Sequence, residues 1–222
     1  MFDKNNIDFI YKHCPNNLPL SKVYNQIINS YKKYNYNFLI LLDQDSNFKK
    51  QFFVKLQESF NTNVNIKLFL PIIKYKNKIV SPTKKYFLKG FYFKGKPYGI
   101  IEAKNISAIN SGMIISFEFL KNSYSGYNEE LMFYGTDDYF MREYCTNENE
   151  LFILDYEFEH DLTLSTLNED SNQLLNSYHQ MLEAWKVLYS KSSLKYIVYI
   201  YTIIHSSYTS LKYKNIRFLK WK

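Results

Sequence analysis

Apolar positions recur along the chain in two periods and divide it into short alternating elements. From Leu20, the residues Val23, Ile27, Ile28 and Tyr31 fall three and four apart, with Lys22, Asn25, Lys32 and Lys33 off the stripe. That spacing predicts a helix, with Ser21 as its cap. Residues 38–42 are a continuous apolar run too short for a helix, which predicts a strand buried on both faces. Residues 47–60 return to the helical period, and residues 66–70, closed by Pro71, predict a second buried strand. Upstream, residues 7–10 read as a short strand, followed by a loop through Pro15 and Pro19. Helices and strands in alternation are the signature of an α/β fold.

The second half continues less regularly. Clustered Lys, Pro and Gly residues between 72 and 99 predict a hairpin or excursion outside the core. Residues 106–116, around Asn110, Ser111 and Gly112, predict strand, turn, strand. A short helix is expected over 136–145 with Thr136 near its cap, then a strand over 151–158 running into Glu159, His160 and Asp161. The remainder has a helical period. Leu194, Ile197, Val198, Tyr201, Ile204, Tyr208 and Leu211 share one face, and Lys195, Thr202 and Ser206 fall off it.

Composition narrows the class. With 222 residues, 46% of them hydrophobic, and only 6 Gly and 5 Pro, the chain has material for a real core and none of the signatures of collagen-like or acidic disordered sequences. Its net charge of +7 is unevenly spread. Residues 1–114 carry 18 basic and 6 acidic side chains, residues 115–183 carry 2 and 15, and residues 184–222 carry 8 and none. Arg142 and Arg217 are the only arginines, so the planar fork used on bases and phosphates is nearly absent and no nucleic-acid partner is expected. Cys14 and Cys145 have no metal-ligand spacing and read as free thiols. The first ten residues lack the apolar run of a signal peptide, and no run approaches the roughly 20 apolar residues of a spanning helix, which points to the cytoplasm. The basic, amphipathic ending over 184–222 suits peripheral contact with an anionic membrane on its inner face.

Four groups carry candidate chemistry. Asp43 and Asp45 follow an apolar strand, where open α/β sheets place their ligands, and oxygen donors suit Mg²⁺ or Mn²⁺. Asp137 and Asp138 open a helix in the acidic segment and are candidates for a general base. His160 follows a strand between Glu159 and Asp161 and is a candidate ligand. Asn110, Ser111 and Gly112 form a turn that could bring backbone close to a substrate.

In order, the Asn17 to Ile28 helix, Leu42-Asp43-Gln44-Asp45-Ser46, Ile109-Asn110-Ser111-Gly112, residues 126–131 (GYNEEL), Thr136-Asp137-Asp138-Tyr139-Phe140 and Glu159-His160-Asp161-Leu162 resemble family 2 glycosyltransferases. The rhamnosyltransferase-like and capsular-polysaccharide branch is the nearest in pattern. The resemblance implies a GT-A fold, a Rossmann-like mixed sheet flanked by helices, over residues 1–165, followed by a helical, basic extension over 166–222. It implies an inverting transfer of a sugar from a nucleotide-sugar donor to a glycan or lipid-linked acceptor in bacterial surface polysaccharide synthesis, with Mn²⁺ or Mg²⁺ as cofactor. By position, Asp43 would face the nucleotide ribose, Asp45 and His160 would reach the metal, and Asn17, Lys22 and Asn25 would belong to the donor side. Asn110, Ser111 and Gly112 would line the acceptor and sugar region, and Asp137, with Asp138 in reserve, would be the base. Enzymes of this kind usually begin with an apolar strand of the V-I-I-P-T-Y-N type, which Met1 to Asn6 does not supply, so the expected domain is N-terminally shortened. A partner chain or second copy completing the site, a noncatalytic sugar- or nucleotide-binding relative, and a phosphohydrolase of the haloacid dehalogenase type remain the alternatives.

Overall fold

The computed structural model describes residues 10–14, 18–43, 48–160 and 171–219. It is a mixed α/β fold. Helix α1 spans Leu20–Tyr31, strand β1 Phe38–Ile40 and helix α2 Lys50–Thr62; they are followed by β2 (Leu68–Tyr75) and β3 (Lys78–Ser81). Three short strands, β4 (Thr83–Tyr86), β5 (Lys89–Phe91) and β6 (Gly99–Glu102), lead to β7 (Ile106–Ser107) and β8 (Ile114–Ser116). Then come α3 (Phe117–Asn122), α4 (Thr136–Asn147), β9 (Glu150–Glu159), α5 (Ser171–Tyr189), α6 (Lys195–Tyr213) and a 3-10 turn at Ile216–Leu219.

The main sheet has the order β1-β8-β2-β9-β6, with β3 attached to β2. β2 and β9 are parallel, while β8 runs antiparallel to both β1 and β2, so β1, β2 and β9 all point the same way. Side chains alternate across this sheet as the pleat requires. Leu68, Leu70, Ile115, Leu151 and Ile153 face one core with Ile28, Phe119, Phe140 and Tyr144 from α1, α3 and α4. Phe69, Ile114, Phe152 and Leu154 face the other, which Phe52 and Leu56 of α2 fill. Burying Phe52 alone is worth about 1.5–3 kcal/mol. A second sheet, β5-β4-β7, forms the excursion.

Several local expectations give way to tertiary context. Ser21 is not the cap of α1: Pro19 takes that place, and Ser21 lies fully buried in the first turn, donating from Oγ to Leu131 O at 2.5 Å. Leu20 N–H reaches Met132 O alongside it at 2.8 Å. Ser21→Ala should therefore cost about 1–3 kcal/mol by leaving that carbonyl without its partner, read as a fall in melting temperature of roughly 2–4 °C per kcal/mol. An unchanged melt would show that the bond contributes nothing.

Pro71 does not end its strand. β2 continues through it to Tyr75, because the register with β9 shifts between Leu70 and Ile72, and such a bulge tolerates the missing N–H. Ile72 and Ile73 are consequently core residues rather than the start of the excursion. β1 is shorter than expected and stands at the end of the strand order, half-buried rather than covered on both faces. β7 and β8 are not a hairpin: β7 pairs with β4 and β8 with β1 and β2, so Asn110, Ser111 and Gly112 connect two sheets. α2 begins at Lys50, three residues beyond the expected start. Of the expected strand at 7–10, only Ile10 is described, exposed and outside any strand.

In the helical ending, Val198 parts from the apolar face the period assigns it to. In α6 the buried residues are Val198, Thr202, Ser206 and Thr209, while Ile197, Ile204, Tyr208 and Leu211 are exposed. The polar inward residues satisfy themselves locally: Thr202, Ser206 and Thr209 donate to the carbonyls of Tyr199, Ile203 and His205. Across the contact with α5, Tyr178 Oη donates to Thr209 Oγ1 at 3.3 Å. α5 in turn packs on the body of the fold, where Arg142 lies over the Tyr189 ring at 3.9 Å and donates to Leu188 O at 2.8 Å. The expected boundary at 165/166 lies outside the described residues.

Candidate functional site

Because β1 and β9 point the same way and β8 points back, the end of β1, the end of β9 and the entry to β8 gather at one edge of the sheet. Past Ile40, Leu41 N–H donates to Met113 O (2.9 Å), and Leu41 O accepts from Gly112 N–H (2.7 Å). This exchange holds Asp43 just beyond the strand, its side chain 40% exposed, with Oδ2 3.9 Å from Nε2 of the well-buried His160. The backbone N–H of His160 donates to Lys74 O at 3.0 Å, anchoring the end of β9 to β2.

Gly112 makes the close turn feasible. Its φ is +76°, and a Cβ there would lie 2.7 Å from Pro71 Cγ and 3.1 Å from Phe48 Cε1. Ser111 is fully buried, and Asn110 donates from Nδ2 to Thr136 Oγ1 at 3.1 Å, joining the entry of β8 to the start of α4. Asn110 Oδ1 is buried and finds no hydrogen-bond partner among the described residues.

The start of α4 is placed by Gly135, whose φ of +81° and close approach to Ala184 let the chain turn beneath α5. Asp137 and Asp138 then occupy its first turn and have different surroundings. Asp138 is paired with Lys85 Nζ and accepts from Ser107 Oγ at 3.0 Å. Asp137 accepts the Asp138 N–H at 2.8 Å. Burial, then the adjacent Asp138 carboxylate, pushes the Asp137 carboxyl up to about 7, against the smaller opposing pull of that N–H and of Lys85. The residue is nevertheless half-buried rather than sealed from solvent.

Tyr24 of α1 closes the cluster. Its phenol is raised by burial and then by the charges of Asp43 and Asp137, so the two carboxylates of separate motifs act on one side chain. Its ring lies 5.1 Å from that of Tyr127, whose buried hydroxyl has no hydrogen-bond partner among the described residues. Beside it, a cleft of about 180 Å³ is lined by Tyr24, Ile27 and Leu39 to Leu42.

The expected site residues are thus partly gathered. Asp43, His160, Asp137, Asp138, Asn110, Ser111 and Gly112 belong to this one edge. Asn25 uses its amide on the 126–129 loop, accepting from Tyr127 N–H (2.7 Å) and donating to Tyr127 O (2.9 Å) and Glu129 (3.1 Å). Lys22 is partly exposed in the first turn of α1. Asn17 and Asp45 lie outside the described residues. Tyr24, Tyr127, Lys85 and Ser107 were not anticipated, since a tyrosine in a chain with 22 of them, or a lysine in its basic first half, carries no signal by itself.

The Asp43 carboxylate is a donor for Mg²⁺ or Mn²⁺, whereas the His160 imidazole fits Mn²⁺ or a later transition metal better than Mg²⁺. Among the described residues no group of three or more His, Cys, Asp or Glu side chains converges as a metal site, so such a site would need Asp45 as well. No protein-family model matches the chain, and no curated protein matches it.

Proposed function

We propose that this chain is an inverting glycosyltransferase that moves a sugar from a nucleotide-sugar donor to a hydroxyl of a glycan or lipid-linked acceptor. The observation that carries the reading is the pairing of unlike carboxyls at one sheet edge. Asp43 is a partly exposed carboxylate beside His160, while Asp137 is a half-buried carboxyl at the start of α4, raised to about 7, and both act on the Tyr24 phenol. That difference in environment suits them to different tasks. The order of motifs along the sequence, similar to that of family 2 glycosyltransferases, supports the same assignment.

In this mechanism the acceptor hydroxyl loses its proton to the Asp137 carboxylate as its oxygen bonds to the anomeric carbon. The bond from that carbon to the diphosphate oxygen breaks, and the electron pair leaves with the nucleoside diphosphate. Asp137 must be ionised to act, so turnover should rise with pH as its carboxyl loses its proton near 7. Lys85 keeps Asp138 occupied and leaves Asp137 as the proton acceptor. The cleft beside Tyr24, lined largely by aliphatic side chains, would take the flat ring of a nucleobase, and Asp43, which follows Leu42 in the chain, would accept from ribose hydroxyls. Asp45 and His160 would hold the divalent cation, which when bound neutralises charge on the leaving diphosphate.

Thermal unfolding with UDP, dTDP and GDP, each with and without Mn²⁺, tests this directly. One nucleotide should raise the melting temperature only with metal, by an amount corresponding to about 2.7 kcal/mol at a hundred times its Kd, and Asp43→Ala should remove the shift. No shift with any of the three would sink the transferase reading for this chain.

A further inference from the structure

We infer that the outward face of α6 is a docking surface for an anionic lipid membrane. The inference rests on the packing of α6 and is independent of the transferase reading. A helix that ends a fold ordinarily turns its large apolar side chains inward. α6 does the reverse: Val198, Thr202, Ser206 and Thr209 face the protein, and Ile200, Ile204 and Leu211 stand 57%, 61% and 79% exposed. At 100° per residue, Ile197, Ile200, Ile203, Ile204, Tyr208 and Leu211 fall on one continuous half of the helix surface. A contiguous apolar face of this size on a surface helix marks an interaction site.

Charge selects the occupant. Residues 184–222 contain eight basic and no acidic side chains. Within α6 the lysines stand at the two ends, Lys195 in the first turn and Lys212 in the last, while the centre of the outward face is uncharged. Two copies meeting through this face would bring like charges together with no carboxylate in the segment to answer them, whereas anionic headgroups supply the complement. The margins fit as well. Tyr196 and Tyr199 are exposed there, and a phenol is suited to the boundary between acyl chains and water. Lys195 Nζ lies 4.9 Å over the Tyr196 ring, so its charge reaches toward the face although Lys195 itself starts on the side of Thr202 and Ser206. No helix among the described residues is long and apolar enough to cross a membrane, so the contact is one of a helix lying in the interface.

Vesicle flotation of the full chain distinguishes the outcomes. Vesicles of phosphatidylcholine with about 30% phosphatidylglycerol should carry the protein up the gradient, and phosphatidylcholine alone should carry far less. The double variant Ile200→Gln, Ile204→Gln should bind the anionic vesicles roughly tenfold or more weakly while melting as the parent does, because both side chains are exposed. Lys195→Glu with Lys212→Glu should weaken binding and flatten its salt dependence. Failure to bind anionic vesicles, or equal binding by the isoleucine variant, overturns the inference. So does a dimer in sedimentation velocity that the isoleucine substitutions abolish, since the face would then belong to a second copy.

Discussion

Asp137→Asn is expected to lose sugar transfer by about 10²–10⁴-fold and at the same time to unfold at a higher temperature than the parent above pH 7. The first effect follows from removing the proposed base, a carboxyl that burial and the neighbouring Asp138 raise to about 7. The amide keeps Oδ1 as acceptor for the Asp138 N–H, so the helix start stays intact. The second effect follows from linkage. In the unfolded chain this carboxyl ionises near its ordinary value of about 4, while in the fold it holds its proton to about 7. Across that window the unfolded state binds fewer protons, so stability falls as pH rises, and the full cost is present above about 7. Asparagine cannot ionise and escapes the cost. The gain should be nil near pH 4 and reach about 1–4 kcal/mol at pH 8, the lower part of that range reflecting the solvent contact that Asp137 keeps. Paired melting curves from pH 4 to 9 measure it. Parallel curves would refute the raised carboxyl, and undiminished turnover would remove Asp137 from the chemistry.

Gly112→Ala should destabilise the fold by about 2–5 kcal/mol and abolish any nucleotide-dependent shift in melting. Two costs combine. A side chain at a φ of +76° is strained by about 1–2 kcal/mol, and overpacking adds about 1–3 kcal/mol. The neighbour at 2.7 Å is Pro71 Cγ, part of a ring held in a central strand, and it cannot swing aside as the end of a flexible chain would. The same displacement acts on the Gly112 N–H bond to Leu41 O, which fixes the end of β1 and with it Asp43. Gly95→Ala is the control, because no atom lies within 4 Å of a Cβ placed there, and its stability should stay within about 0.5 kcal/mol of the parent. Equal melting temperatures for the two variants would show that the approach to Pro71 is not tight.

Neither effect is visible in the local sequence. Asn110-Ser111-Gly112 announces a turn, and that is all its residues announce. The requirement for glycine comes from Pro71 and Phe48, whose side chains reach it only when β8 packs beside β2. Asp137 and Asp138 are likewise adjacent and chemically identical. Lys85 and Ser107, brought by β4 and β7, occupy one and leave the other.

Local pattern alone marked α1, α2, α4, β9, parts of β1 and β2 and the helical ending, but neither α3 nor the separate strands β3 to β6. Three- and four-residue apolar spacing marked α1 and α2, unbroken apolar runs marked β1 and the start of β2, and a turn with acidic residues marked α4. Those signals are local, arising from the period of the backbone and the burial of one stripe or face. They also placed Asp43, Asp137 and His160 at the ends of elements, where side chains of distant segments can converge. Tertiary structure alone decided which neighbour each face meets. It put β1 at the end of the strand order, carried β2 through Pro71 at a bulge, and assigned β7 and β8 to different sheets. It also decided which side of α6 is buried. Periodicity shows that the helix has two unlike faces, but the buried side carries small side chains whose hydroxyls bond within their own helix, and the larger apolar face is turned outward.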